Sequence, residues 1–143
     1  MRYLIVDAVK QELRSVECVS FQDAKREAGL DRVDHGSLDR HHAIVVDEFG
    51  LYADPGQVVY FSLGNQLYAG NALLYACDDA GETTDMDWLP PLLRKAIVFY
   101  PGGRPEIEAA IAAGKVRRPE SRVNGVLAWS WPQGMEWLER TRP

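Results

Sequence analysis

A chain of 143 residues, 46% hydrophobic and 26% charged, has the size of one domain and enough apolar material to bury about two-thirds of its unfolded surface, which excludes a disordered chain. Two cysteines, Cys18 and Cys77, exclude a disulfide framework or a metal knuckle, and no apolar run approaches the 18 or so residues of a membrane-spanning helix. The net charge of −5 conceals an asymmetry: residues 1 to 90 hold seven Lys/Arg against sixteen Asp/Glu (net −9), while residues 91 to 143 hold nine against five (net +4). Such segregation bears on partners rather than on fold.

The apolar opening is interrupted by Asp7 and followed by Lys10, Glu12 and Arg14, so no secretory h-region forms and a cytoplasmic location is expected. Residues 3 to 6 are apolar and mostly aromatic or branched, and residues 13 to 19 place Val16 and Cys18 on one face; these read as two paired strands. Ser20 then offers an N-cap hydroxyl with Asp23 three places on, and Phe21, Ala24 and Ala28 recur at helical spacing before Gly29, predicting a helix over 21 to 28.

Residues 43 to 47 (Ala-Ile-Val-Val-Asp) predict an interior strand, and residues 58 to 63 another, entered through Asp54-Pro55-Gly56. Gly64-Asn65 and Gly70-Asn71 punctuate the next stretch. Residues 72 to 77 are the most strand-like of all, and Asp78-Asp79-Ala80-Gly81 has the composition of a hairpin turn into Glu82-Thr83-Thr84, so a meandering antiparallel sheet is expected.

Composition and charge sign both shift over residues 85 to 91, a candidate subdivision of an otherwise single domain. Pro90-Pro91 opens a helical turn, residues 96 to 100 read as a strand stopped by Pro101-Gly102-Gly103, and Pro105 opens a helix with an Ile107, Ala110, Ile111 stripe and Gly114 as its stop. Asn124-Gly125 between Val123 and Val126 predicts a C-terminal hairpin, with Leu127, Trp129 and Trp131 alternating onto one face. The fold class expected is α+β: a mainly antiparallel sheet, two or three short helices and that hairpin.

Candidate chemistry is sparse. His35, His41 and His42 lie near Asp34 and Asp39, but adjacent residues project in different directions and no zincin-like spacing occurs, so a solvated loop is expected and no metal ligand is assigned. The carboxylates of Asp78, Asp79, Glu82, Asp85 and Asp87 lack the alternation of a calcium loop and read as turn chemistry. There is no Gly-x-Ser-x-Gly, no Cys–His pair in recognisable context, and Gly102-Gly103-Arg104-Pro105 lacks both the Walker and the dinucleotide spacing, so no catalytic residue and no cofactor is assigned. Cys77, after Leu73, Leu74, Tyr75 and Ala76, reads as a core residue.

The candidate recognition surface is basic. Lys115, Arg117, Arg118 and Arg122, followed by Trp129 and Trp131, combine groups that contact phosphates with rings that stack on bases or fill partner pockets.

The stretches Ile44-Val45-Val46-Asp47-Glu48-Phe49-Gly50-Leu51, Leu67-Tyr68-Ala69-Gly70-Asn71-Ala72-Leu73-Leu74 and Asp78-Asp79-Ala80-Gly81-Glu82 resemble a family of small uncharacterised proteins of bacteriophages and mobile elements, a domain of unknown function, over about residues 1 to 88. The resemblance implies a phage or prophage accessory protein and carries no activity and no site residue. The leading functional expectation is a non-enzymatic module that binds a host or phage protein, such as a counter-defence inhibitor. Two alternatives are nucleic-acid binding through the basic region, and a small-molecule enzyme whose residues converge only in space.

Overall fold

The computed structural model of the protein describes residues 1–48 and 58–118. In chain order the elements are β1 (Arg2–Asp7), β2 (Glu12–Glu17), α1 (Phe21–Glu27), β3 (Val33–Ser37), β4 (His42–Asp47), β5 (Tyr60–Leu63), β6 (Gln66–Ala69), β7 (Ala72–Cys77), β8 (Thr83–Thr84), α2 (Pro90–Leu93), β9 (Ile97–Tyr100) and α3 (Arg104–Ala112). They fall into two compact units, residues 1–48 with 70–96, and residues 58–69 with 97–118.

The first unit is built on an antiparallel sheet of order β2-β1-β7-β4-β3, with β8 added to the end of β7. Strand β7 therefore enters between β1 and β4, so the pairing departs from the expected meander. The reason is apolar content: Leu73 and Leu74 are both fully buried, as are Leu4, Ile5, Ile44 and Val45 on the two flanking strands. A strand with both faces apolar gains most at the sheet centre, where each face is covered.

Register sorts these residues by face. Leu73 lies opposite Ile5 and Val45, and that face packs with Tyr3, Ala24, Ala28 and Leu30, so α1 covers it. Leu74 lies opposite Leu4 and Ile44 on the other face, which continues at the strand end to the pair His42 and Ala76. Helix α1 forms where expected: the Ser20 hydroxyl accepts from the Asp23 backbone N–H at 3.2 Å, and Gly29 stops the helix at φ 75°. Asn71 joins loop to helix, its Oδ1 accepting from Ala8 N at 2.9 Å and its Nδ2 donating to Ala28 O at 3.0 Å.

The second unit has a three-stranded antiparallel sheet among the described residues, order β6-β5-β9, with α3 packed on it. Gly64, at φ 61°, sits first in the two-residue turn Gly64-Asn65, a position whose left-handed backbone suits glycine. Ile107 and Ala110 of α3 bury against Tyr60, Leu67, Tyr100 and Val116. Inside this unit Ser62 and Tyr100 satisfy each other's buried hydroxyls at 3.1 Å.

The α+β class and the antiparallel pairing follow the sequence reading, whereas β3 and β6 were not expected. The predicted C-terminal hairpin and the turn at Asp54-Pro55-Gly56 lie outside the described residues. Among the described residues no helix is long and apolar enough to cross a membrane.

Candidate functional site

Of the sequence-assigned basic residues, Lys115, Arg117 and Arg118 are among the described ones, just past α3. Val116 is buried in the second unit's core and the Arg117 backbone N–H donates to Asn65 O at 2.8 Å, which anchors the chain just past α3. Lys115 and Arg117 are exposed on either side of that anchor. Arg118 instead forms a forked pair with Glu108, at 3.3 and 3.1 Å, and both side chains are mostly covered. Arg122, Trp129 and Trp131 lie outside the described residues.

Of the three histidines expected in a solvated loop, His41 lies in the half-exposed β3–β4 loop, His35 is exposed but on a strand, and His42 is buried on β4. His35 lies on β3, opposite Val45, with its ring 5.8 Å from Phe21 and 6.3 Å from Tyr75. His41 and His42 diverge as adjacent residues must: His41 Nε2 is 2.8 Å from Asp79, which also pairs with Arg40 at 3.0 Å, while His42 turns onto the sheet face. Among the described residues no group of three or more His, Cys, Asp and Glu is placed to hold a metal ion.

Around His42 the fold assembles a cluster that no local pattern in the sequence marks. Its Nδ1 lies 2.8 and 3.0 Å from the two carboxylate oxygens of Asp39, and its Nε2 lies 2.6 Å from Asp87 Oδ1. Trp88 stacks on the ring, with centroids 3.8 Å apart and planes within 10°. Only the doubly protonated imidazolium can donate to both carboxylates at once. The ring is 10% exposed, against 50% for Asp39 and 71% for Asp87, so a nearly covered cation is flanked by two wetted anions.

Burial by itself would lower the His42 pKa, but the hydrogen bonds to Asp87 and Asp39 and their negative charge override it and hold the pKa above the ordinary 6.5. The hydrogen bond from His42 holds Asp87 below the usual carboxylate value. Partial desolvation opposes the same shift at Asp39, where hydrogen bonds from the His42 ring and the His41 backbone prevail. While it is doubly protonated, with both ring nitrogens donating to carboxylates, His42 has no lone pair to accept a proton and acts as a tether.

Linkage fixes the sign of the pH effect. The raised His42 pKa stabilises the fold fully below 6.5, and that contribution is lost as pH rises through the folded value; the lowered carboxylates contribute above 3.8, and that part is lost as pH falls. The bridge therefore stabilises most between about pH 4 and 6.5. Melting temperatures measured from pH 5 to 9 are expected to fall further for the wild type than for His42→Gln along the alkaline limb; parallel curves would refute the assignment.

The acidic group splits by role. Asp78 Oδ1 accepts from Ala80 and Glu82 backbone N–H groups at 3.0 and 2.9 Å, as turn chemistry requires, and Asp85 Oδ1 accepts from Arg2 N at 2.8 Å. Asp87 alone of the five reaches His42. Burial, with Glu27 and Asp23 adding negative charge, pushes the Cys18 thiol up and away from the reactive thiolate.

Just past Trp88 the chain presents an apolar projection. Leu89 and Leu92 are 56% and 63% exposed on a turn stiffened by Pro90 and Pro91, while Leu93 faces inward at 6%. Comparison with known proteins returns no match: no family model fits the chain, and neither a curated protein nor a solved structure is significantly similar to it.

Proposed function

We propose that this chain is a non-enzymatic protein-interaction module whose contact surface is centred on Leu89 and Leu92. The observation that carries the reading is their exposure on a proline-stiffened turn anchored by Leu93, because two large apolar side chains held rigidly in water lose little further entropy on docking. The unit bearing them, residues 1–48 with 70–96, holds nine Lys/Arg against fifteen Asp/Glu, a net −6 that favours a partner with a basic rim around an apolar pocket. The likeness of residues 43 to 87 to small phage and mobile-element proteins is in keeping with an accessory role, such as occupying a surface on a host protein.

Affinity capture from host extract after nuclease treatment tests the reading. A protein enriched by the wild type is expected to bind the double variant Leu89→Asp, Leu92→Asp about tenfold more weakly or worse, with the urea midpoint little changed because both positions are exposed. Equal capture by wild type and variant would overturn it. Enrichment abolished by nuclease would transfer the function to nucleic acid and to Lys115 and Arg117.

A further inference from the structure

The Asp39, His42, Asp87 and Trp88 cluster joins three separate stretches of chain: the β3–β4 loop through Asp39, strand β4 through His42, and the segment between β8 and α2 through Asp87 and Trp88. We propose that it is a proton-operated latch, in which the doubly protonated His42 ring pins residues 87 and 88 to the end of β4 and loss of the Nε2 proton releases them.

The two sides of the ring are held unequally. Asp39 is fixed independently of the imidazole, since its Oδ1 accepts from the His41 backbone N–H at 2.8 Å and its own N–H donates to His42 O at 3.2 Å. Asp87 has its own backbone N–H and the His42 ring. When one proton leaves the imidazolium, the tautomer that keeps Nδ1–H retains both Asp39 contacts. Nε2 then turns a lone pair toward the Asp87 carboxylate at the 2.6 Å separation, where two acceptors repel. The departing proton goes to water, which reaches the 71% exposed Asp87 side chain. Neutralising the ring also removes the charge that the Trp88 indole face attracts, so both attachments of the segment weaken in the same step.

Fixed points on each side bound the movement. Met86 is fully buried; its N–H donates to Arg2 O at 3.0 Å, and its carbonyl accepts from Arg2 Nε at 2.7 Å. Leu93 is buried at the other end. Residues 87 and 88 thus lie between Met86 and the α2 turn, where Leu89 O accepts from the Leu92 and Leu93 N–H groups at 3.1 and 3.2 Å, and neither residue belongs to a strand of the sheet.

The other charged groups nearby leave the ring to these partners. From β7 the residue opposite His42 is Ala76, and opposite Ala76 on β8 stands Thr84, so neither strand brings a charge to the ring. On its own segment Arg40 and His41 pair with Asp79. The latch operates whether or not Leu89 and Leu92 meet a partner.

The experiment is a pH titration of the full chain from 5 to 9 by NMR, following the ring nitrogens of His42 and the indole N–H of Trp88, assigned with His42→Gln and Trp88→Phe. The His42 midpoint is expected above 6.5, with the Trp88 resonance moving at that same midpoint. Asp87→Asn is expected to lower the His42 midpoint and carry the Trp88 transition down with it, and His42→Gln to abolish that transition. A Trp88 signal that stays still while His42 titrates, or a His42 midpoint at or below 6.5, overturns the latch.

Discussion

Leu73→Ala is expected to destabilise the protein by about 2–5 kcal/mol, read as a fall in the urea midpoint with an unchanged slope. Leu73 is fully buried at the centre of β7, between Ile5 of β1 and Val45 of β4, beneath Ala24 and Ala28 of α1. Its side chain is shared by three strands and a helix, so no single element can shift inward to refill the space without breaking register with the others. Val19→Ala is the matched control: Val19 is 95% exposed, and its loss is expected to change stability by less than about 0.5 kcal/mol. Equal effects at the two positions would mean that β7 is not the central strand.

Ile107→Ala is expected to have an effect of the same order, about 2–5 kcal/mol, in the second unit. Ile107 projects from α3 onto Tyr60, Leu67 and Tyr100, and it is fully buried. A nine-residue helix is too short to hold together on its own propensity, so its persistence depends on that apolar contact. Hydrogen exchange is expected to accelerate in the amides of α3, β5 and β9, and protection unchanged there would contradict the packing. Pro105 and Gly114 set the limits of this helix but supply little of its stability, which is why the burial of Ile107 decides the outcome.

The division of charge at residue 90 does not coincide with the division into units. The basic portion counted from residue 91 includes Arg94 and Lys95, which fold with the acidic unit and bring residues 1–48 with 70–96 to a net −6, leaving the remaining residues with seven Lys/Arg against six Asp/Glu. Within the acidic unit Arg14, Arg26 and Arg40 pair with Glu27, Asp23 and Asp79. In the proposed reading, attraction for a basic partner rests on the acidic unit of residues 1–48 with 70–96. Exposed pairs of this kind contribute little to stability, on the order of 0–1 kcal/mol each.

What the amino-acid order determines by itself is whatever is satisfied within a few residues. The Ser20 cap with Asp23, the stop at Gly29, the limits imposed by Pro105 and Gly114, and the strand Ala72–Cys77 were all legible, because caps, turns and apolar runs complete their hydrogen bonds or declare their burial locally. Strand β3, with Asp34, His35 and Gly36 in a row, has poor strand propensity and forms because β4 offers it a ladder from Val33 opposite Asp47 to Ser37 opposite Ala43. The insertion of β7 between β1 and β4 is likewise a matter of which partners cover two apolar faces, and neighbouring residues do not encode that choice. His42 and Asp87 stand 45 positions apart, so an imidazole and a carboxylate that each read as solvated become a bridge only when β4 and the approach to α2 are brought side by side. Pairing across such distances is decided by the packing of the whole unit, because a carboxylate that lowers its energy against a distant cation leaves no periodicity along the chain.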